Sequence, residues 1–193
     1  MPQATALHKR AFLTSTLLNA ALWALTALPL PVWARPAPKV LSALAPGLQA
    51  RGEFHYTYFS FEVYDISLWT AADFKPEALA QQVMALELRY LRHFAAQDIA
   101  RRSIKEMRRS ANISAEQEQQ WLAEMQRVFP NIRQGDRLLG LYRPGQAAVF
   151  WHNEQPRGEL ADAAFAPLFF GIWLSPNTSE PAMRQALLQG SAR

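Results

Sequence analysis

The chain has 193 residues, of which half are hydrophobic, with 20 lysine and arginine side chains, 16 aspartate and glutamate side chains and no cysteine. A chain without cysteine has no disulfides, thiolate metal sites or thiolate nucleophiles. The formal charge of +4 is small for a nucleic-acid-binding domain, which would show a strongly basic surface or a recognisable motif. The length suits one domain with a sizeable core.

The first 34 residues carry the three parts of a cleavable export signal in the usual order. A positive end at residues 8–10 is followed by the uncharged, leucine- and alanine-rich residues 11–30, and Val-Trp-Ala at 32–34 is suited to a signal peptidase. We therefore expect cleavage after Ala34 and a periplasmic protein. The alternative is a retained membrane anchor, which needs about 20 apolar residues, but polar residues dilute this stretch and two prolines break it.

Residues 9–13, Lys-Arg-Ala-Phe-Leu, also resemble a twin-arginine export signal in which lysine replaces the first arginine. Ordinary secretion requires only a positive end, so both export routes fit this segment. Removal of residues 1–34 takes away two basic side chains and no acid, which leaves 18 basic and 16 acidic side chains. The expected mature chain is nearly neutral, which again argues against nucleic-acid binding.

The prolines and glycines of residues 35–52 predict an extended lead-in, with at most a turn of helix at 40–44, whose role is to reach the domain at 53–193. Aromatic residues on both faces of the first strand indicate that both of its faces are covered. Three strands, which we expect to be neighbours in one antiparallel sheet, are predicted at 54–59, 63–69 and 83–92.

Alternation along these strands predicts which side chains face the core. In the third strand Leu88 and Tyr90 point inward and Arg89 points outward. In the second strand Asp65 interrupts an apolar run. It either has a functional role or accepts hydrogen bonds from a bulge or a neighbouring loop, since buried acids are rare unless paired.

From Ala95 the hydrophobic period changes to three or four, which predicts a helix to about Arg109. A capping box formed by Ser114 and Gln117 begins a second helix that ends before Pro130. The short link makes these helices an antiparallel pair that packs on the sheet. The chain ends with a hairpin around the Pro-Gly turn at 144–145, a short strand at 158–160 and helices at 163–170 and 180–189.

The helix from residue 95 to 109 is strongly basic. One interpretation is a contact with a membrane surface or an acidic ligand. The other is an ordinary solvated face, in which Asp98 and Glu106 pair with the basic residues. The basic side chains concerned are Arg101, Arg102, Lys105, Arg108 and Arg109.

Five segments in this order resemble the bacterial, exported branch of the chalcone isomerase-like family. The resemblance implies an α+β fold, an open-faced β-sandwich in which a layer of helices covers one broad antiparallel sheet and leaves a cleft between them. The segments are VYDISLW at 63–69, LELRYLRHF at 86–94, IARRSIKEMRRS at 99–110, GDRLLGLYRP at 135–144 and FFGIWLSPNTSEPAMRQALLQG at 169–190.

The resemblance does not extend to the residues with which plant enzymes of this family close a flavanone ring. Those enzymes use an arginine and a threonine from early strands, a tyrosine and an asparagine near the start of the first long helix, and a threonine or serine near the last. Here the first strand offers only His55, residues 95–98 contain no tyrosine, and Ile172 precedes SPNTSEP. Ring closure needs a polarised carbonyl and a held phenolate, so isomerase activity is not expected.

The family also contains non-catalytic members that bind fatty acids, with the acyl chain in the cleft and the carboxylate at its mouth. We therefore predict a non-enzymatic periplasmic protein that needs no cofactor. It binds a small apolar or fatty-acid-like ligand, or serves as an accessory to another envelope component. Large aromatic residues also fill ordinary cores, so each candidate has that alternative role. The candidate ligand-binding residues are His55, Phe59, Tyr64, Tyr90 and Trp121.

The remaining chemistry is limited. The three histidines beyond the signal are widely separated and lack paired spacing, so no metal is expected. No GxSxG, GxxxxGK[ST] or GxGxxG motif occurs. The alternative function is an intramolecular lyase or isomerase with His55 as base and Tyr64 or Tyr90 as acid. Convergence of these groups in a pocket wide enough for a ring would favour the enzyme, and a narrow apolar slot would favour binding.

Overall fold

The computed structural model describes residues 37–189, and the predicted export signal at 1–34 lies outside the described residues. Within that range the sheet is an antiparallel meander in which each strand pairs with the next along the chain. Its six strands are β1 Gln49–Tyr58, β2 Phe61–Thr70, β3 Met84–Tyr90, β4 Arg137–Tyr142, β5 Ala148–His152 and β6 Gln155–Leu160.

Helices cover one face of this sheet, so the predicted α+β architecture, an open-faced sheet with a helical layer, is confirmed. A short 3₁₀ helix, Pro76–Gln81, connects β2 to β3. None of the helices in residues 37–189 is long and apolar enough to cross a bilayer. The α-helices are α1 Lys39–Leu44, α2 Ala96–Met107, α3 Ala115–Val128, α4 Phe165–Leu174 and α5 Pro181–Gln189.

The main core lies between the sheet and the helices α2 to α5. Strand alternation directs every second side chain of the central strands to this face, as predicted for Leu88 and Tyr90, while Arg89 points away and its side chain is 45% exposed. The buried strand residues on this face include Ile66, Leu68, Leu86, Leu88, Leu138 and Phe150.

A second, smaller core covers the opposite face of the sheet. Leu41 of α1 is buried there in one cluster with Trp69, Ala85 and Trp151. The proline- and glycine-rich lead-in therefore does more than reach the sheet, because its single short helix shields two tryptophans from water. The sequence pattern did not predict this role.

The first strand begins at Gln49, earlier than predicted. Gly52 lies inside β1, and a Cβ atom built there would be 2.3 Å from the carbonyl oxygen of Ala186 in α5. A glycine within a strand marks a close backbone approach of this kind. The predicted boundary placed Gly52 in the lead-in because glycine otherwise disfavours strands.

The other helices and strands lie near their predicted positions, with ends that differ by up to four residues. The Ser114 side chain accepts a hydrogen bond from the Gln117 amide at 3.2 Å, and the Gln117 side chain accepts one from the Ser114 amide at 3.1 Å, which confirms the capping box. The helix predicted at 163–170 instead runs over Phe165–Leu174.

The hairpin that joins β1 to β2 has an irregular tip. Tyr56 pairs with Tyr64, but the next pair is Thr57 with Glu62, so one residue of β2 bulges out of the ladder. The two turn residues 59 and 60 both have positive φ angles, of 46° and 67°. This backbone is typical of a two-residue type I′ turn, in which glycine and asparagine are favoured.

Candidate functional site

A cavity of about 380 Å³ lies between the helix-covered face of the sheet and the helices α2 and α4. Its volume is in the range of small-molecule sites, about 300–1,000 Å³. The walls are mainly apolar. They are formed by strand side chains below and helix side chains above, chiefly Leu86, Leu88, Leu138, Phe150, Phe169 and Phe170.

The floor of the cavity depends on a glycine. Gly140 of β4 lines it, and a Cβ atom at this position would lie 3.0 Å from the Phe150 ring and 3.3 Å from the Phe170 ring. The glycine allows these rings to approach the strand closely. The Phe169 ring packs edge-on to the Phe150 ring, with centroids 5.4 Å apart. Aromatic contacts therefore fix the closed end.

Three of the four tyrosines that line the cavity, Tyr56, Tyr64 and Tyr90, are partly or fully buried. The Tyr64 hydroxyl accepts a hydrogen bond from the indole nitrogen of Trp173 at 3.1 Å, and the Tyr56 hydroxyl donates one to Glu180 at 3.0 Å. Burial raises the pKa of Tyr64 and of Tyr90 far above the usual value of a phenol. Burial, assisted by the bond to Glu180, raises the pKa of Tyr56 to about 12. All three remain protonated near neutral pH.

Charged side chains gather at the mouth of the cavity. The Arg102 guanidinium contacts the Glu106 carboxylate at 2.7 Å, and Glu106 is nearly buried. Arg92 also lines the cavity, and its guanidinium lies 5.1 Å from the centroid of the Phe61 ring. Within residues 37–189, no carboxylate forms an ion pair with Arg92. This arginine is therefore available to an anionic group at the mouth.

Tyr64 and Tyr90 are the two candidates that the structure brings together in the cavity, with ring centroids 5.9 Å apart. Trp121 is buried in the core beside the Phe165 ring, and its indole nitrogen donates to Asp162 at 2.9 Å. It is not among the residues that line the cavity. Phe59 lies at the hairpin tip and is 80% exposed.

His55 lies on the face of the sheet opposite to the cavity. Its Nδ1 atom is 2.7 Å from the Asp65 carboxylate, and its Nε2 atom is 3.6 Å from Glu62. The reason is strand alternation, because the neighbouring Tyr56 occupies the cavity face. His55 and a tyrosine hydroxyl therefore do not converge. His55 is also half-exposed, so this end of β1 is covered on one face only, contrary to the expectation of two covered faces.

Asp65 has a structural environment on the same outer face. Its carboxylate accepts hydrogen bonds from Arg89 at 2.5 Å and 3.0 Å, besides its contact with His55. Its partners are side chains of the two adjacent strands rather than a bulge or a loop. Burial acts to raise the pKa of Asp65, but the hydrogen bonds from His55 and Arg89 outweigh it and lower the pKa.

Most of the basic residues of α2 are engaged within the molecule. Arg101 pairs with Asp98 and Arg102 with Glu106, as the interpretation of a solvated helix predicts. The other two arginines near its end are also engaged, Arg108 with the Glu118 carboxylate and the Ile113 carbonyl, and Arg109 with the Asn177 carbonyl. These contacts leave little free positive charge along the helix.

Sequence reasoning considered Arg102 only as part of a basic helix face that could meet an acidic ligand, and it did not connect Arg92 or Glu180 with the cavity mouth. Arg92 continues the inward alternation of Leu88 and Tyr90, and this signal was present in the sequence. Arg102 lies in α2 and Glu180 lies just before α5, and no spacing rule connects either of them to β3. No group of three or more His, Asp or Glu side chains in the described range is placed to hold a metal ion.

The fold and the site together define an α+β protein in which helices enclose an apolar, ligand-sized cavity on one face of an antiparallel sheet. The chain belongs to the chalcone isomerase-like family, whose model matches residues 48–189. Of the strands and helices in residues 37–189, this range includes all except α1.

Two further comparisons agree with this assignment. An uncharacterized protein of Haemophilus influenzae is 29% identical over 140 residues, which cover 72% of this chain and 67% of that protein. The crystal structure of a fatty-acid binding protein of Arabidopsis thaliana is similar with a TM-score of 0.58, over 74% of this chain and 87% of that one. The latter pair is only 8% identical, so the likeness concerns the fold.

Proposed function

We propose that this protein binds a long-chain fatty acid or a similar amphiphile and catalyses no reaction. The observation that carries the proposal is the cavity itself, which combines mainly apolar walls with a few charged side chains, among them Arg92, Arg102 and Glu180. Such a distribution suits a ligand with a hydrocarbon chain and one charged head group. The Arabidopsis protein of similar fold is described as a fatty-acid binding protein, which is consistent with the same use of the cavity here.

The head group would be held at the mouth by Arg92, which lacks an ion-pair partner in the described part of the chain. Arg102 is the second donor, but it already serves Glu106, so a ligand would share it. The protonated hydroxyl of Tyr56 lies at the same end of the cavity. The acyl chain would then extend past Tyr64 toward the closed end.

The alternative function, an intramolecular lyase or isomerase, receives less support from this geometry. It requires His55 as a base beside Tyr64 or Tyr90, and these groups lie on opposite faces of the sheet. Tyr56, Tyr64 and Tyr90 have raised pKa values, so these three side chains do not supply a phenolate near neutral pH.

Calorimetric titration with saturated fatty acids of different lengths, run beside a spectroscopic chalcone assay, tests the proposal. We expect saturable binding of one ligand and no ring closure above the uncatalysed rate. Arg92→Gln should weaken binding by about 1.5–3 kcal/mol, the value of a hydrogen bond to a charged group. His55→Leu, on the opposite face, is the matched control and should keep the affinity.

The possible results separate the parts of the proposal. No heat from any acid would remove the binding function, and catalysed ring closure would remove the non-enzymatic part. Loss of affinity in His55→Leu with none in Arg92→Gln would move the head-group site to the outer face of the sheet.

We further propose that the chain belongs to the exported, periplasmic branch of its family. The support is the order of positive end, apolar stretch and cleavage site within residues 1–34. Residues 1–34 fused to a passenger protein should export it, and the mature chain should begin at Arg35. Amino-terminal sequencing that finds Met1 or Pro2 on envelope protein would contradict this. Unchanged export of Arg10→Lys would exclude only the twin-arginine route.

A further inference from the structure

We infer that the tip of the β1–β2 hairpin docks on the surface of an anionic lipid bilayer and places the mouth of the cavity against it. The tip consists of residues 58–61. The inference rests on the proposed function in one respect: a protein that binds a lipid-like ligand would collect or deliver that ligand at a membrane. It extends that function by naming where the protein would meet the membrane.

The first observation is the concentration of exposed aromatic surface at the tip. Tyr58, Phe59 and Phe61 are 54%, 80% and 61% exposed. Of the large hydrophobic residues exposed in the described range, only Leu44 lies elsewhere, in α1. Contiguous exposed apolar groups mark interaction sites. Aromatic residues are also favoured at the interface between bilayer and water.

The second observation is the β-bulge in β2, which turns this aromatic surface toward the cavity. Strict alternation from Tyr64 would place Phe61 on the outer face of the sheet. The bulge adds one residue, so that Phe61 pairs with Tyr58, and Tyr58 lines the cavity. The contact between Phe61 and Arg92, another residue of the cavity mouth, agrees with this orientation.

The turn places an exposed aromatic residue in a backbone conformation that destabilises it locally. Phe59 and the residue after it occupy the left-handed region, where a bulky residue is uncommon and glycine or asparagine is favoured. The Phe59 ring contacts only its neighbour Tyr58 among the ring pairs of the described residues. A turn selected for stability alone would have asparagine and glycine here.

Charge complementarity selects a bilayer of anionic lipid as the partner. Arg92 is exposed beside the tip and forms no ion pair within the described residues, and the adjacent His93 is exposed as well. Glu62, the acid next to the tip, lies on the opposite, outer face of the sheet, 3.6 Å from His55. A basic residue beside aromatic rings is the arrangement that binds phosphate head groups and the acyl boundary together.

The absence of cysteine from the sequence permits a local test in the full-length chain. Ser60→Cys places a single thiol at the tip, and Gln146→Cys places one in the β4–β5 turn at the opposite end of the sheet. Each is labelled with an environment-sensitive dye and mixed with ligand-free vesicles of phosphatidylglycerol and phosphatidylcholine. We expect a blue shift from the tip label only. An equal response of both labels would overturn the inference.

Side-chain variants test the apolar and the electrostatic contributions to vesicle binding. All are made in the full-length chain, so that any effect of residues 1–34 is the same in every variant. Phe59→Asn fits the turn and should weaken vesicle binding about tenfold or more, since a large apolar side chain leaves the interface. Arg92→Gln should weaken it about fivefold, on anionic vesicles only. Leu44→Asn, which changes an exposed hydrophobic residue outside the tip, is the control and should have no effect.

Further measurements separate this inference from the proposed function and from self-association. Phe59→Asn should retain fatty-acid affinity in calorimetry while it loses vesicle binding. If no fatty acid binds but the tip still docks, the proposed function fails and the docking stands. Unchanged vesicle binding of Phe59→Asn overturns the docking. So does a sedimentation result in which Phe59→Asn dissociates a dimer, since the tip would then bind a second copy.

Discussion

At the scale of single residues, the outer face of the sheet is organised by pairs across the strands. Asp65 in β2 accepts hydrogen bonds from Arg89 in β3 and contacts His55 in β1, so one carboxylate connects three strands. The two partners are about half-exposed, and water screens their interaction with Asp65. The contribution to stability is therefore modest but dependent on pH.

We predict that Asp65→Asn lowers the free energy of unfolding by about 1 kcal/mol at pH 7. The folded-state pKa of Asp65 is lowered, so its stabilisation is present above the pKa of the unfolded chain, about 3.9, and is lost as the pH falls through the folded value. Urea unfolding should therefore show the difference at pH 7 and a smaller one at pH 3. The exposed Asp73→Asn is the control. A difference that persists unchanged at pH 3 would contradict this account.

The fate of the candidate ligand residues shows what strand alternation predicts and what it leaves open. Alternation predicts that His55 and Tyr56 lie on opposite faces of the sheet and that Leu88 and Tyr90 share one face. The structure confirms both predictions. It does not say which face of β1 the helices cover, because both faces carry aromatic residues. The bulge in β2 then reverses the alternation near the tip, and no residue in VYDISLW is of a type that predicts a bulge.

At the scale of elements, the first strand and the last helix are in direct contact. The Arg51 side chain donates a hydrogen bond to the Leu188 carbonyl at 2.8 Å. Beside it, Gly52 lets the backbone of α5 approach β1 with no side chain between them. Sequence alone gave no basis for this pairing, because residues 51–52 and 186–188 are separated by almost the whole folded chain.

Gly52→Ala should destabilise the protein by about 2 kcal/mol or more, since the new methyl group meets backbone atoms of α5 that cannot rotate away. Gly171→Ala in α4 is the matched control. Its Cβ atom would lie 3.6 Å from the nearest atom outside the local backbone, and alanine favours helices by about 1 kcal/mol over glycine. Thermal unfolding of the two variants measures the contrast. Equal melting temperatures would show that α5 can move away from β1.

The short helix α1 offers a second contrast between two leucines. Leu41 is 1% exposed and Leu44 is 45% exposed. Leu41→Ala should cost about 2–5 kcal/mol, and Leu44→Ala about 0.5 kcal/mol or less. Denaturant unfolding followed by tryptophan fluorescence is suited to this test, because Trp69 and Trp151 lie under the helix. A small effect of Leu41→Ala would mean that α1 lies outside the cooperative unit.

At the scale of the whole molecule, ligand binding and stability should be linked. A fatty acid at about 100 times its dissociation constant adds about 2.7 kcal/mol to the folded state, which corresponds to a rise of roughly 5–10 °C in melting temperature for a chain of this size. The methyl ester of the same acid should give a smaller rise, because it offers Arg92 no charge. Equal shifts for acid and ester would show that the head group is not held by an arginine.

The architecture was predictable from the sequence because hydrophobic periods, caps and turns are local properties. Five segments in family order also supplied the strand and helix layers. The cavity was predictable only as a cleft, since its walls join side chains from β3, β4, β5 and α4, and its charged mouth joins residues from three separate segments. Tertiary packing brings these side chains together, and the local sequence pattern of a single strand or helix does not predict which of them will meet.

The contact between β1 and α5 also has a consequence for the order in which the chain folds. Most neighbouring strands of the meander are joined by short connections, so their pairings are local and form early, whereas β3 and β4 pair across the two helices α2 and α3. The covering of β1 by α5 spans a longer stretch of sequence still, because it joins the first strand to the last helix of the domain. One face of the first strand therefore remains uncovered until α5 has formed, and the docking of this helix completes the main core.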